Sequence, residues 1–103
     1  MLSELMRREY YDEELKALIL NFIMRKGRWG EHYFPIDTMA NWLGQIVKNN
    51  GKNVKKKVKD LAKEGFLILH KMNTTASLNP RMKGEIIEYI EKNLRESNQL
   101  DDS

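Results

Sequence analysis

The feature that most constrains this chain is the stretch from Asn53 to Leu69, where one apolar pattern gives way to another within four residues. Val54, Val58, Leu61 and Ala62 recur at helical spacing, Gly65 interrupts them, and Phe66-Leu67-Ile68-Leu69 follows as a continuous apolar run. A helix must therefore run almost directly into a strand, and the strand needs a partner close by. Asn73-Thr74-Thr75 supplies a turn and Ala76 to Asn79 a short return. An antiparallel hairpin over about 66–79 is the expectation, preceded by a helix over 53–64.

The remaining elements are placed by the same reasoning. Asp12-Glu13-Glu14 precedes Leu15, Leu18, Ile19, Phe22 and Ile23, and the pattern closes with Arg25-Lys26-Gly27. Acids at the start, bases at the end and a terminal glycine suit the helix dipole and its cap, so a helix over about 13–26 is predicted. A short extended piece is expected at 32–34. Asp37 then stands as an N-cap for Met39, Ala40, Leu43, Ile46 and Val47, a helix of about 38–48 stopped by Asn49-Asn50-Gly51. After Pro80, the residues Met82, Ile86, Ile87, Ile90 and Leu94 mark a last helix of about 81–96. Leu2, Leu5 and Met6 form one face of a further short helix at the N-terminus, either continuous with the next or broken near Tyr10-Tyr11. The expectation is one domain over 1–96 and a disordered polar tail over 97–103, mainly α with a small β-hairpin.

The charge is segregated. From Lys48 to Lys71 there are eight lysines (48, 52, 55, 56, 57, 59, 63 and 71) against Asp60 and Glu64, a net +6 inside a chain whose total is +3. A near-neutral body thus carries one basic segment, and a local field of that kind attracts a polyanion. On a helical wheel with Val54 at zero, the apolar stripe centres on about 25°, while Lys59, Lys52, Lys63 and Lys56 fall at about 140°, 160°, 180° and 200°. Lys55 borders that stripe, whereas Lys57 shares a flank with Asp60 and Glu64. Lysines dominate the cations throughout, as in thermophile proteins, so an ordinary solvated face is the alternative reading. The absence of acids from the stripe argues against it, since surface helices usually interleave both signs.

Ile36-Asp37-Thr38-Met39-Ala40-Asn41-Trp42-Leu43-Gly44, the stretch from Asn53 to Leu67 with its Leu-x-x-x-Gly-aromatic-Leu ending, and Ser77-Leu78-Asn79-Pro80 together resemble the winged helix-turn-helix domain of small bacterial and archaeal transcriptional regulators. The resemblance covers roughly residues 12–95. It implies a double-stranded DNA-binding regulator that inserts helix 53–64 into the major groove and lays wing 66–79 on the backbone or in the minor groove. Lys52, Asn53, Lys55, Lys56, Lys59 and Lys63 would meet DNA from the helix, and Lys71, Asn73, Thr74 and Thr75 from the wing. Asn53 and Lys56 are the candidates for base edges, because Asn pairs with adenine and Lys reaches guanine. Reading two half-sites would call for a homodimer, with Leu2, Leu5, Met6, Ile87, Ile90 and Leu94 as its candidate interface. A winged helix that serves instead as a protein-interaction module in a larger assembly is the alternative.

Other chemistries find little support in the residues. With no cysteine, and only His32 and His70, neither a thiolate site nor a metal centre is expected. Gly44 to Lys52 ends in Gly-Lys but fails the spacing of a phosphate loop, and Asn53 stands where Ser or Thr would bind magnesium. There is no nucleophile elbow, and the carboxylates fall on exposed helix faces, so no enzyme, cofactor or small-molecule effector is expected. Trp29, Tyr33 and Phe34 are expected to plug the core rather than stack on single-stranded nucleic acid, and Trp42 sits either in the core or on its rim. No apolar run approaches a membrane span, and the N-terminus lacks the apolar stretch of a signal peptide, so a cytoplasmic location is expected.

Overall fold

The structure is a computed structural model, and it describes residues 12–45 and 50–102. Helix α1 spans Asp12–Arg25, strand β1 Phe34–Pro35, helix α2 Ile36–Leu43, helix α3 Asn50–Lys63, strands β2 and β3 Leu67–His70 and Thr75–Leu78, and helix α4 Lys83–Asp102 after a single 3-10 turn at Pro80–Met82. The architecture is mainly helical with a small three-stranded antiparallel sheet, ordered β1-β3-β2. The proposed N-terminal helix with Leu2, Leu5 and Met6 lies outside the described residues.

Helix α1 is the centre of the core. Leu15, Ala17, Ile19, Leu20 and Ile23 are buried, and the helix packs against α4, α3 and β3. Two helices end in the same way. Gly27 at φ 68° lets its own N–H reach the Met24 carbonyl and the Arg28 N–H reach that of Ile23. Gly65 at φ 89° does the same at the end of α3, with Gly65 N–H donating to Ala62 and Phe66 N–H to Leu61. Both are Schellman caps, in which a left-handed residue satisfies carbonyls that the helix leaves open. The second cap turns the chain directly into β2, so Phe66 leaves α3 already aimed at the sheet and packs on Tyr89 of α4 at 5.5 Å between ring centroids.

Several boundaries differ from those expected. Helix α2 begins at Ile36 with Pro35 in the N-cap position, so Asp37 is no cap but a first-turn residue. The sheet decides this: Pro35 pairs with Thr75, and the Ile36 N–H donates to the Thr74 carbonyl at 3.0 Å. The same helix ends at Leu43, with Gly44 and Gln45 in a turn, rather than running toward residue 48. Ile46, Val47 and Asn49 lie outside the described residues. Helix α3 starts at Asn50 instead of Asn53, because Asn and Gly permit a left-handed stop but do not impose one. Helix α4 runs to Asp102, through the residues expected to form a disordered tail; nothing after Gly84 is a Gly or Pro that would break it.

The hairpin is also shifted. His70 pairs with Thr75, so the turn is Lys71–Thr74 and Thr75 belongs to β3. Lys71, Met72 and Asn73 all carry positive φ, at 51°, 56° and 67°. For Lys and Met this conformation costs about 1–2 kcal/mol per residue, while Asn tolerates it. The turn is held by Thr74, whose N–H donates to the His70 carbonyl and whose hydroxyl donates to the Lys71 carbonyl at 2.7 Å. Leu67, Ala76 and Leu78 are buried on one face of the sheet, and on the other face Ser77 is buried too, its hydroxyl donating to the Gly30 carbonyl at 2.7 Å. Trp29 forms a parallel bridge to Leu78, and with Phe34 it packs on the core as expected. Tyr33 does not: it stacks on His70 at 3.7 Å.

Candidate nucleic-acid interface

Helix α3 presents two chemically different sides. Val54, Val58 and Leu61 are buried, and Ala62 packs on the core from its edge. Lys52, Lys55, Lys56, Lys59 and Lys63 are exposed, while Asn53 is half-buried. The predicted stripe therefore exists as a face, because the apolar positions are committed to α1 and α2 and the opposite positions have nowhere to go but solvent. Lys57 is the exception among the lysines. It is 8% exposed, and its ammonium lies 3.0 Å from Asp12 and 3.7 Å from Asp60. Hydrogen bonding and charge from Lys57 hold the Asp12 carboxyl below its ordinary 3.8. This cation ties α3 to the start of α1, on the flank away from the stripe.

The stripe is not free of acids once the neighbouring helix is in place. The Asp37 carboxylate of α2 meets Lys55 at 2.8 Å, between exposed side chains. Screening by water makes such a pair weak, but it engages one of the candidate lysines. Lys56, Lys59 and Lys63 have no ion-pair partner among the described residues.

The hairpin turn and α3 share a cleft of about 170 Å³, lined by Ile36, Asp37, Lys55, Val58, Lys59, Leu69, Asn73 and Thr74. The chain thus brings Lys55 and Lys59 together with Asn73 and Thr74, although 14 or more residues separate the two groups in sequence. Lys71, Asn73 and Thr74 are exposed. Thr75 is different, being half-buried in β3 with its hydroxyl donated to the His70 carbonyl at 3.2 Å, so it leaves the turn and the candidate surface together. Leu69 faces the cleft, and alternation along β2 sends His70 to the other side of the sheet. There His70 meets Tyr33 and lies 3.4 Å from the Ser77 hydroxyl.

A second depression, of about 480 Å³, opens between α1 and α2. Leu18, Phe22, Trp42 and Leu43 form its apolar part, with Asn21, Arg25 and Lys26 around them. Trp42 is 56% exposed and stands 6.3 Å from Phe22 between ring centroids, which places it on the rim rather than in the core. Lys26 lies over both Phe22 and Phe34.

Of the apolar residues expected at a dimer interface, Ile90 is in the chain's own core, Leu94 packs against that core, and Ile87 is half-buried. The reason is the turn of α4 toward α1, which uses Ile86 and Ile90 internally. Leu2, Leu5 and Met6 lie outside the described residues. No group of three His, Cys, Asp or Glu side chains suited to a metal ion occurs among the described residues, and none of their helices is long and apolar enough to cross a membrane.

Two features of this surface escaped the sequence. Asp37 enters the basic face from a different helix, a juxtaposition only the packing of α2 on α3 reveals. Met72 is 95% exposed at the hairpin tip, where the shifted turn places it; the signal was the strand register, which a single chain does not display. Comparison of the chain with protein-family models, with curated proteins and with solved structures finds no match in any of the three.

Proposed function

We propose that this protein binds double-stranded DNA as a winged helix-turn-helix transcriptional regulator, with α3 in the major groove and the β2-β3 hairpin as a wing on the backbone or in the minor groove. The order helix, strand, helix, helix, hairpin, helix is compatible with that fold. One observation carries the reading: the lysine face of α3 and the polar hairpin turn converge on one cleft, where Lys59 stands beside Asn73 and Thr74. Phosphates along a groove edge would be met by Lys52, Lys56, Lys59 and Lys63, releasing counterions, while Asn73 and Thr74 hydrogen-bond the backbone beside them. Asn53 and Lys56, in the first half of α3, are the residues for base edges. The working species is a homodimer in the cytoplasm, since two half-sites discriminate better than one.

The test is fluorescence anisotropy on duplex DNA across a salt series, comparing the wild type with the double variant K56E/K59E. Wild-type affinity falls steeply with salt, and the variant, folded to the same helical content, loses measurable binding. Unchanged binding by K56E/K59E would remove the lysine face from consideration. The alternative, a protein-interaction module without DNA contact, is favoured by the Trp42 depression with its basic rim. Under it the same variant keeps partner binding and the wild type ignores duplexes at the lowest salt.

A further inference from the structure

The hairpin turn holds a contradiction. Met72 is apolar, unbranched and 95% exposed at the far end of the sheet, in a backbone conformation that glycine would adopt at no steric cost. Nothing among the described residues rewards a methionine there, since a side chain so exposed contributes no burial. The turn is nevertheless built firmly: Thr74 closes it with its N–H and its hydroxyl, and three consecutive left-handed residues lift the side chain of the middle one off the end of the sheet. Its immediate neighbours are polar or cationic, namely Lys71, Asn73 and Thr74, and the last two continue into the cleft shared with Lys55 and Lys59. An apolar tip ringed by such groups is poorly matched to an apolar protein pocket and well matched to nucleic acid, whose phosphates flank a stack of apolar base faces.

We propose that Met72 is a wedge that enters a base step from the minor groove, unstacking it and bending the duplex while Lys71, Asn73 and Thr74 hold the adjoining phosphates. The inference rests on the DNA-binding reading above and adds to it a site and a mechanism: sequence preference through deformability rather than through hydrogen bonds. Apolar side chains inserted between base pairs kink DNA in this way, and the cost is recovered from the surface that the bend brings into contact. A flexible thioether can follow the step as it opens. Steps that unstack easily, above all pyrimidine–purine steps and mismatches, are then the preferred positions.

The experiment compares wild type, M72A and M72L on two otherwise identical A·T-rich duplexes, one perfectly paired and one with a single central mismatch. Anisotropy gives affinity and its salt dependence, and end-to-end energy transfer gives the bend. Wild type binds the mismatched duplex more tightly and shortens its end-to-end distance. M72A loses that preference, by about tenfold if the methionine side chain is fully buried in the step, and it loses the bend, with the salt slope unchanged. M72L, still apolar and of similar reach, keeps most of both. An M72A protein that matches wild type on both duplexes, or that weakens equally on both, overturns the wedge while leaving DNA binding in place. A wild type that binds neither duplex overturns the DNA-binding reading and the wedge with it, and leaves Met72 to a protein partner.

Discussion

Asn79 is a small residue on which three elements depend. Its side-chain amide donates to the Gly65 carbonyl at 2.9 Å, at the cap of α3, and its carbonyl oxygen accepts from the Arg81 N–H at 3.1 Å, opening the 3-10 turn that leads into α4. One side chain therefore ties the end of α3 to the exit of the hairpin and to the start of the last helix. Each bond contributes about 1 kcal/mol net, and the second is also a helix-type cap of similar worth, so N79A is expected to cost about 2 kcal/mol. For a domain of this size each kcal/mol lowers the melting temperature by about 4–8 °C, which predicts a fall of roughly 8–16 °C. N79S separates the two contributions. Serine caps well but is too short to span to Gly65, so it should lose about 1 kcal/mol. Thermal and urea unfolding followed by circular dichroism reads both, with an unchanged urea slope showing that the folded and unfolded states are otherwise the same. A loss below about 0.5 kcal/mol for N79A, or identical losses for the two variants, would refute the assignment of a two-ended tie.

Two further outcomes concern pH. Burial against neighbours such as Phe66, reinforced by Glu13, Glu64 and Asp12, pushes the Tyr89 hydroxyl from 10.0 up to about 12. The neutral phenol is thus favoured in the fold, its contribution is complete below pH 10 and lost as pH rises toward 12, and Y89F should delete a step near pH 12 from an alkaline tyrosinate titration. Asp12 works in the opposite direction. Its carboxyl is held below 3.8 by Lys57, so the contribution is present above that value and disappears as acid protonates it; D12N should flatten the acid limb of the stability curve, and an unchanged limb would argue against the pair.

What could be read from residues alone was local. Val54, Val58, Leu61 and Ala62 announce the buried side of α3, and Gly65 followed by Phe66 announces its cap, because the apolar period and the capping hydrogen bonds each lie within one or two turns of the helix. Asp37 shows where that reasoning stops. It has the chemistry of an N-cap, yet pairing between Pro35 and Thr75, forty residues apart, fixes the start of α2 and turns the carboxylate toward Lys55. The hairpin turn shifted for the same kind of reason, since a register between strands is a property of two segments. The lysine stripe was visible on the wheel; its junction with Asn73 and Thr74 was not, because the angle between α3 and the sheet is set by the Schellman cap and by packing on α1 and α4. Lys57 was rightly separated from the stripe by its angle, but its two acidic partners come from different helices, and only one of them is near it in sequence.

The edge strand β1 has a consequence for assembly. It is two residues long, and one of them is Pro35, which has no N–H to offer. A neighbouring chain that tried to extend the sheet on that side would find almost no ladder to grip, and polymerisation by strand addition is blocked there without any covering element. The opposite edge is the four-residue β2, so any chain that does extend this sheet must join it there.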